Sequence, residues 1–142
     1  MPHATPPAPT DAITLSDDRA RVDVDQLLDL YRETWWAKSR GRAEVERALE
    51  HSHPLITAWA GPRMVGFSRV ISDLTYRATI WDVIVRSDLK GRGIGRRMMR
   101  AILDHPDLRT VTMFLLLTKD QHRFYARLGF THEKDMSMML RR

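Results

Sequence analysis

Cysteine is missing from all 142 residues, which excludes disulfides, thiolate metal sites and a cysteine nucleophile. No apolar stretch approaches the roughly 20 residues that cross a bilayer, and the first residues carry neither the basic nor the apolar segment of a secretion signal. Met1 to Pro9 instead holds four of the seven prolines. Residues 1–10 are therefore expected to be a disordered tail, and residues 11–142 one domain of a cytoplasmic protein. No internal repeat is found. The length and a 43% hydrophobic content suit a single soluble core.

What is present centres on Ile80 to Leu103. Ile80, Val83, Ile84 and Val85 make an apolar, β-branched run suited to a buried strand, and Lys90-Gly91-Arg92-Gly93-Ile94-Gly95 follows as a glycine turn. From there Ile94, Met98 and Ile102 recur at helical spacing, with Met99 and Leu103 beside them and Arg96, Arg97 and Arg100 opposite. A helix should thus begin where the glycines end, with its first N–H groups unpaired at the positive end of its dipole, a setting for phosphate. The dinucleotide fingerprint would need glycine at Met98, and a P-loop would need Gly-Lys at Arg96-Arg97. Neither reading holds.

A second apolar run, Val111 to Leu117, leads through Thr118-Lys119-Asp120-Gln121-His122 into F-Y-A-R-L-G-F, Phe124 to Phe130. Phe124 and Leu128 would share one helix stripe, Tyr125 would sit about 100° away, and Gly129 suits a left-handed cap. Lys90-x-x-Gly93-x-Gly95 together with this second motif resembles the GNAT superfamily of acyl-CoA N-acyltransferases, over Asp11 to the C-terminus. Two departures are visible. Lys90 stands where Gln or Arg is usual, and Thr118 stands where many members have Asn.

The rest of the chain reads as Ile13–Leu15, an edge strand; an Asp23/Gln26 capped helix reaching about Trp36; and a second helix, Arg42 to Glu50. Leu55–Ala60 and Met64–Ile71 form a hairpin about Gly61-Pro62, Arg77–Arg86 is the central strand, and Met136–Leu140 alternates as a final strand. A helix joining two buried strands implies a parallel βαβ unit. The fold class is α/β in the mixed α+β sense: a central mixed sheet with flanking helices. That its parallel pair splays apart is what the resemblance implies.

The resemblance also implies the ligand and the chemistry. Acetyl-CoA would be the co-substrate, with Val83, Ile84 and Val85 meeting its pantetheine and acetyl group. Lys90, Gly91, Arg92, Gly93, Ile94, Gly95 and Arg96 would hold the pyrophosphate, and Thr118 and Tyr125 would add contacts. The Val85 N–H would receive the oxyanion. Six basic residues against one acid between Arg86 and Arg100 would attract such a polyanion. A neutral amine would attack the thioester directly in a ternary complex. A Tyr125 phenol, reference pKa about 10, can then serve a departing thiol of about 8.5 as general acid.

Asp82, a charge inside an apolar strand, is the first candidate for general base, weighed equally against a structural salt bridge to an arginine. A water chain, Asp73 and Glu33 are the reserves. The resemblance implies Trp35, Trp36, Asp73 and Tyr76 on the acceptor side, although Trp35 also fits the buried stripe of its helix. His51 and His53 have metal-ligand chemistry but no third ligand, so no metal is expected. His122 fits either a proton relay or a helix cap region. The expected acceptor is a small-molecule or peptide/protein amine, with no membrane partner and a homodimer left open. A non-catalytic acyl-CoA sensor is the first alternative. Nucleic-acid binding is the second, disfavoured because the aromatics do not interleave with the basic residues.

Overall fold

The computed structural model describes residues 12–142; the proline-rich segment expected over residues 1–10 lies outside them. β1 (Ile13–Ser16) precedes α1 (Val24–Arg32) and α2 (Arg42–Glu50), after which β2 (Leu55–Ala60), β3 (Arg63–Ser72) and β4 (Arg77–Val85) meander. α3 (Ile94–Leu103) crosses to β5 (Met113–Leu115), and α4 (His122–Ala126) follows. The strands lie side by side in chain order, antiparallel from β1 to β4 and parallel between β4 and β5. The mixed sheet and the βαβ crossover therefore stand as expected.

Each face of the sheet is covered by helices whose apolar spacing selects it. Leu27, Leu30 and Tyr31 of α1 and Val45 and Leu49 of α2 pack with Phe67 and Ile84 on one side. Ile94, Met98, Met99 and Ile102 of α3 pack with Ile56, Ala58, Val65, Val70 and Ile80 on the other. Asp23 caps α1 by accepting from the Gln26 N–H at 3.2 Å, and Gln26 in turn accepts from the Met64 N–H at 2.7 Å, tying that helix start to β3.

Ile80 and Ile84 are both even-numbered on one strand, yet they point to opposite cores. The cause is a bulge: Phe67 pairs with Ile84 and Arg69 with Trp81, so Ser68 faces two residues, Asp82 and Val83. Asp82 takes the left-handed φ of 56° there, a conformation that Asp tolerates better than most side chains.

Gly66 lets α3 settle against the sheet. A Cβ at this position would lie 2.6 Å from the Met98 sulfur, 3.1 Å from Ala58 Cβ and 3.3 Å from the Ile84 carbonyl oxygen. Gly66→Ala is expected to cost about 1–3 kcal/mol by overpacking. The check is a lowered urea midpoint at unchanged slope.

Three expectations are corrected. α1 stops at Arg32 rather than near Trp36, because the Thr34 hydroxyl donates to the Tyr31 carbonyl and accepts from the Ala37 N–H, turning the chain. Trp35 consequently leaves the buried stripe and is 71% exposed. The second parallel strand is only Met113–Leu115, shorter than the apolar run Val111–Leu117 that announces it. Met136–Leu140 forms no strand, and Met136, Met138, Met139 and Leu140 are all exposed. Alternation yields a strand only where one side has a face to cover, and these side chains cover none.

Candidate active site

β4 and β5 pair only over Arg77–Thr79 and Met113–Leu115. Beyond Thr79 the ladder stops, so the β5-facing edge of β4 from Ile80 to Val85 opens into a gap. The Arg86 N–H donates to the Val65 carbonyl at 2.8 Å while Val85 pairs with Gly66. This makes Gly66–Val85 a pair without mutual hydrogen bonds, and the Val85 N–H and C=O therefore face the open edge.

The chain leaves that edge through a short 3-10 turn, Ser87–Leu89, anchored by the buried Leu89. Gly91 and Gly93 both adopt φ of +80°. Gly93 is the N-cap residue of α3 and supplies no side-chain cap, so the leading N–H groups of the helix point out of the turn. Lys90 and Arg96 are exposed beside them. Asp88, the one acid of this segment, is paired with Arg63 at 3.2 Å. The field at the turn is therefore positive, and anions are favoured.

α4 closes the site from below. Phe124 contacts the start of α3 so closely that a Cβ on Gly95 would sit 3.4 Å from its ring and 3.7 Å from Val85 Cγ2. One small residue thus joins the end of β4, the glycine turn and the second motif. Gly129, at φ 99°, ends this turn as expected, with the Gly129 N–H bonded to the Ala126 carbonyl. Tyr125 lies between Phe124 and Phe130, ring centroids 4.9 and 5.9 Å away, in the same cluster as Val83 and Val85. Burial pushes its phenol up to about 12. The Thr118 hydroxyl accepts from the Gln121 N–H at 3.0 Å, shaping the turn into α4.

The site is thus a gap between parallel strands, ending on a glycine turn with a helix start and flanked by a half-buried tyrosine, and the chain that builds it matches known proteins in sequence and in structure. Residues 24–130 match the family model described as the acetyltransferase (GNAT) family. The chain belongs to the GNAT family. It is 32% identical over 136 residues to "Uncharacterized N-acetyltransferase ycf52" of Porphyra purpurea, covering 88% of this chain and 76% of that protein. It is 30% identical over 122 residues to "Serotonin N-acetyltransferase 2, chloroplastic" of Oryza sativa subsp. japonica, covering 80% of this chain and 59% of that one. A crystal structure of a protein assigned to the GNAT family in Xanthomonas campestris pv. campestris superposes with a TM-score of 0.82 at 38% identity, over 92% of each chain.

This GNAT chain places the other sequence candidates in separate surroundings. Asp82 is buried on the α1/α2 side of β4, opposite Val83 and Val85, because the bulge shifts the alternation that starts at Ile80. Its Oδ2 accepts from Tyr31 Oη at 2.9 Å, Arg40 Nη1 at 2.7 Å and Arg69 Nε at 2.7 Å. Burial alone would push this carboxyl up, but the hydrogen bonds and charges of Arg40 and Arg69 hold it below the usual carboxylate range. Desolvation, then the Asp82 charge and hydrogen bond, push the Tyr31 phenol well above its ordinary value, so it remains a donor. Arg40 also stacks over Tyr31 and Trp36, at 5.0 and 5.5 Å from the ring centroids.

Trp35 meets the Lys119 ammonium at 5.4 Å and so reaches across to the segment after β5. Glu33 accepts from the Ser87 N–H at 3.1 Å at the end of β4. Asp73 is spent on the β3–β4 loop, accepting from the N–H groups of Thr75, Tyr76 and Arg77, which lower its carboxyl. Asp73 and Tyr76 lie some 20 Å of strand from the bulge, given about 3.3 Å per residue. His53 pairs with Asp107 at 2.8 Å, and the His122 ring stacks on His132 at 4.6 Å. Among the described residues no group of acids and histidines could hold a metal ion, and no helix is long and apolar enough to cross a membrane. Tyr31, Arg40 and Arg69 are the partners of Asp82 that sequence reasoning did not name. Arg69 carried a usable signal, since it interrupts the apolar run of β3 just as Asp82 interrupts β4.

Proposed function

We propose that the protein is an acetyl-CoA-dependent N-acetyltransferase acting on a primary amine in a ternary complex, in a cytoplasmic setting. The observation that carries this reading is the open edge of β4 running directly onto the uncapped start of α3. Backbone groups of Val83 and Val85 extend along the donor's pantetheine arm. The glycine turn with Lys90 and Arg96 binds its pyrophosphate through N–H groups and charge. The thioester carbonyl oxygen, as it gains charge, takes the Val85 N–H. The amine nitrogen bonds to the acetyl carbon, the carbon–sulfur bond breaks, and the sulfur leaves toward the Tyr125 hydroxyl.

Asp82 acts here as a positioning residue. A carboxylate already accepting three hydrogen bonds, and held low by two guanidiniums, is a weak base. The ammonium proton leaves through water. The deciding experiment is thiol release from acetyl-CoA across a panel of primary amines, with coenzyme A binding measured alongside. Tight coenzyme A binding without any amine-dependent release would instead favour a non-catalytic sensor.

Gly93→Ala tests the turn. Its φ of +80° is strained for any L side chain although nothing crowds the Cβ, at about 1–2 kcal/mol. Coenzyme A affinity is expected to fall roughly 5- to 30-fold, read by titration calorimetry with the thermal midpoint of the free protein as the control.

A further inference from the structure

Two adjoining cavities of about 350 and 210 Å³ lie between α2 and the sheet. They share Glu44 and Arg69; the larger adds Arg47 and His51, and the smaller adds Tyr31 and Arg40. The smaller is walled by the three side chains that hold Asp82. Among the arginines and acids, Arg40, Arg47 and Arg69 against Asp82 and Glu44 leave one positive charge over.

Two of these guanidiniums are partly withdrawn from water. The Arg69 side chain is only 12% exposed and Arg40 32%. Each guanidinium has five N–H groups. Toward Asp82, Arg69 uses Nε and Arg40 uses Nη1, and Arg69 Nη1 also reaches Ser52 Oγ at 3.3 Å. Donors therefore remain on both guanidiniums for a second acceptor. Planar guanidiniums that are partly desolvated and short of negative charge are matched by an oxyanion such as a carboxylate. A simple alkyl or arylalkyl amine, cationic in solution, offers nothing to them.

Resting on the acetyltransferase reading above, we propose that the acceptor is a small amino acid, an amine whose own carboxylate is received by Arg69 and Arg40 with Arg47 at the mouth. Asp82 holds the first two in place for this. The bulge makes the arrangement possible. It turns the Asp82 side chain to the α1/α2 face, while Val85, three residues on and about 10 Å along the strand, presents its N–H at the opposite edge.

The test uses a chain-length series of ω-amino acids, from glycine to 6-aminohexanoate, each paired with its carboxamide, with serotonin as an amine lacking an anionic group. Thiol release from acetyl-CoA is expected to show kcat/KM at least tenfold higher for the best acid than for its amide. Arg69→Gln should abolish that preference and Arg47→Gln, at the exposed rim, should reduce it. Amides or serotonin turning over as well as the acids would overturn the acceptor class while leaving the acetyltransferase reading intact. A second arm does not need turnover: calorimetric titration of the N-acetylated acids and amides in the presence of coenzyme A. Acids binding at least tenfold tighter than amides, with the difference lost in Arg47→Gln, would uphold the anion site even if no amine were acetylated. Equal or absent binding of both, with no acid preference in turnover, would overturn it.

Discussion

Tyr125→Phe is expected to lower kcat for acetyl transfer by about 10²- to 10³-fold, the range for loss of one preorganised donor at a site of developing charge, while coenzyme A binds as before. Phenylalanine keeps the ring between Phe124 and Phe130, so the packing of α4 survives and only the hydroxyl is removed. The raised phenol sets how that hydroxyl works. At about 12, against a free thiol near 8.5, full transfer to the sulfur is uphill. The phenol therefore contributes chiefly as a hydrogen bond that strengthens as charge builds on sulfur. It also stays neutral across the working range, so wild-type activity should climb with pH toward the amine's value near 10.4 without an intervening fall. Thiol-release kinetics from pH 6 to 10.5, with calorimetry for coenzyme A, would decide. An unchanged kcat in Tyr125→Phe would remove Tyr125 from the mechanism.

Much of the candidate site is legible in the sequence, for a physical reason. Motifs built on backbone geometry announce themselves: Gly91 and Gly93 at φ +80° and Gly129 at φ 99° are positions that glycine fills without strain. The spacing of Ile94, Met98 and Ile102 fixed both the start and the buried face of α3, and α2 was read over Arg42–Glu50 without change. What escaped depends on contacts between distant residues. Arg40 and Tyr31 reach Asp82 across 42 and 51 positions of sequence, and no local pattern encodes such a meeting. The buried-stripe reading of Trp35 fails because helical spacing continues past a helix that Thr34 ends through hydrogen bonds to its own neighbours. Met136–Leu140 has the alternation of a strand, and alternation says nothing about whether an edge is available. Alternation along β4 likewise does not give the faces of Ile80 and Ile84, because the bulge between them is marked by no glycine.

Asp82→Asn is expected to destabilise the fold by about 3–5 kcal/mol, the cost of removing one partner from a buried ion pair. Asparagine tolerates the left-handed φ of 56° as well as aspartate does, so the change isolates charge from backbone strain. Asp82→Ala should add about 1–2 kcal/mol for that conformation. The Asp82 side chain is 3% exposed, so solvent screens the pair little, and two guanidiniums would lose their shared counter-charge. The sign with pH follows from a folded carboxyl held below its unfolded value of about 3.9. Its contribution is complete above that value and is lost as pH falls through the folded one. Wild type and Asp82→Asn should therefore differ most near neutrality and converge in acid, as urea midpoints at pH 7, 5 and 3 would show. Adding Arg69→Gln to Asp82→Asn should recover part of the loss, because the penalty lies in an unmatched buried charge rather than in missing contacts. If the double variant were as unstable as the sum of the two single changes, the charge argument for this cluster would fail, and with it the role of Asp82 in holding Arg69 and Arg40 for an acceptor.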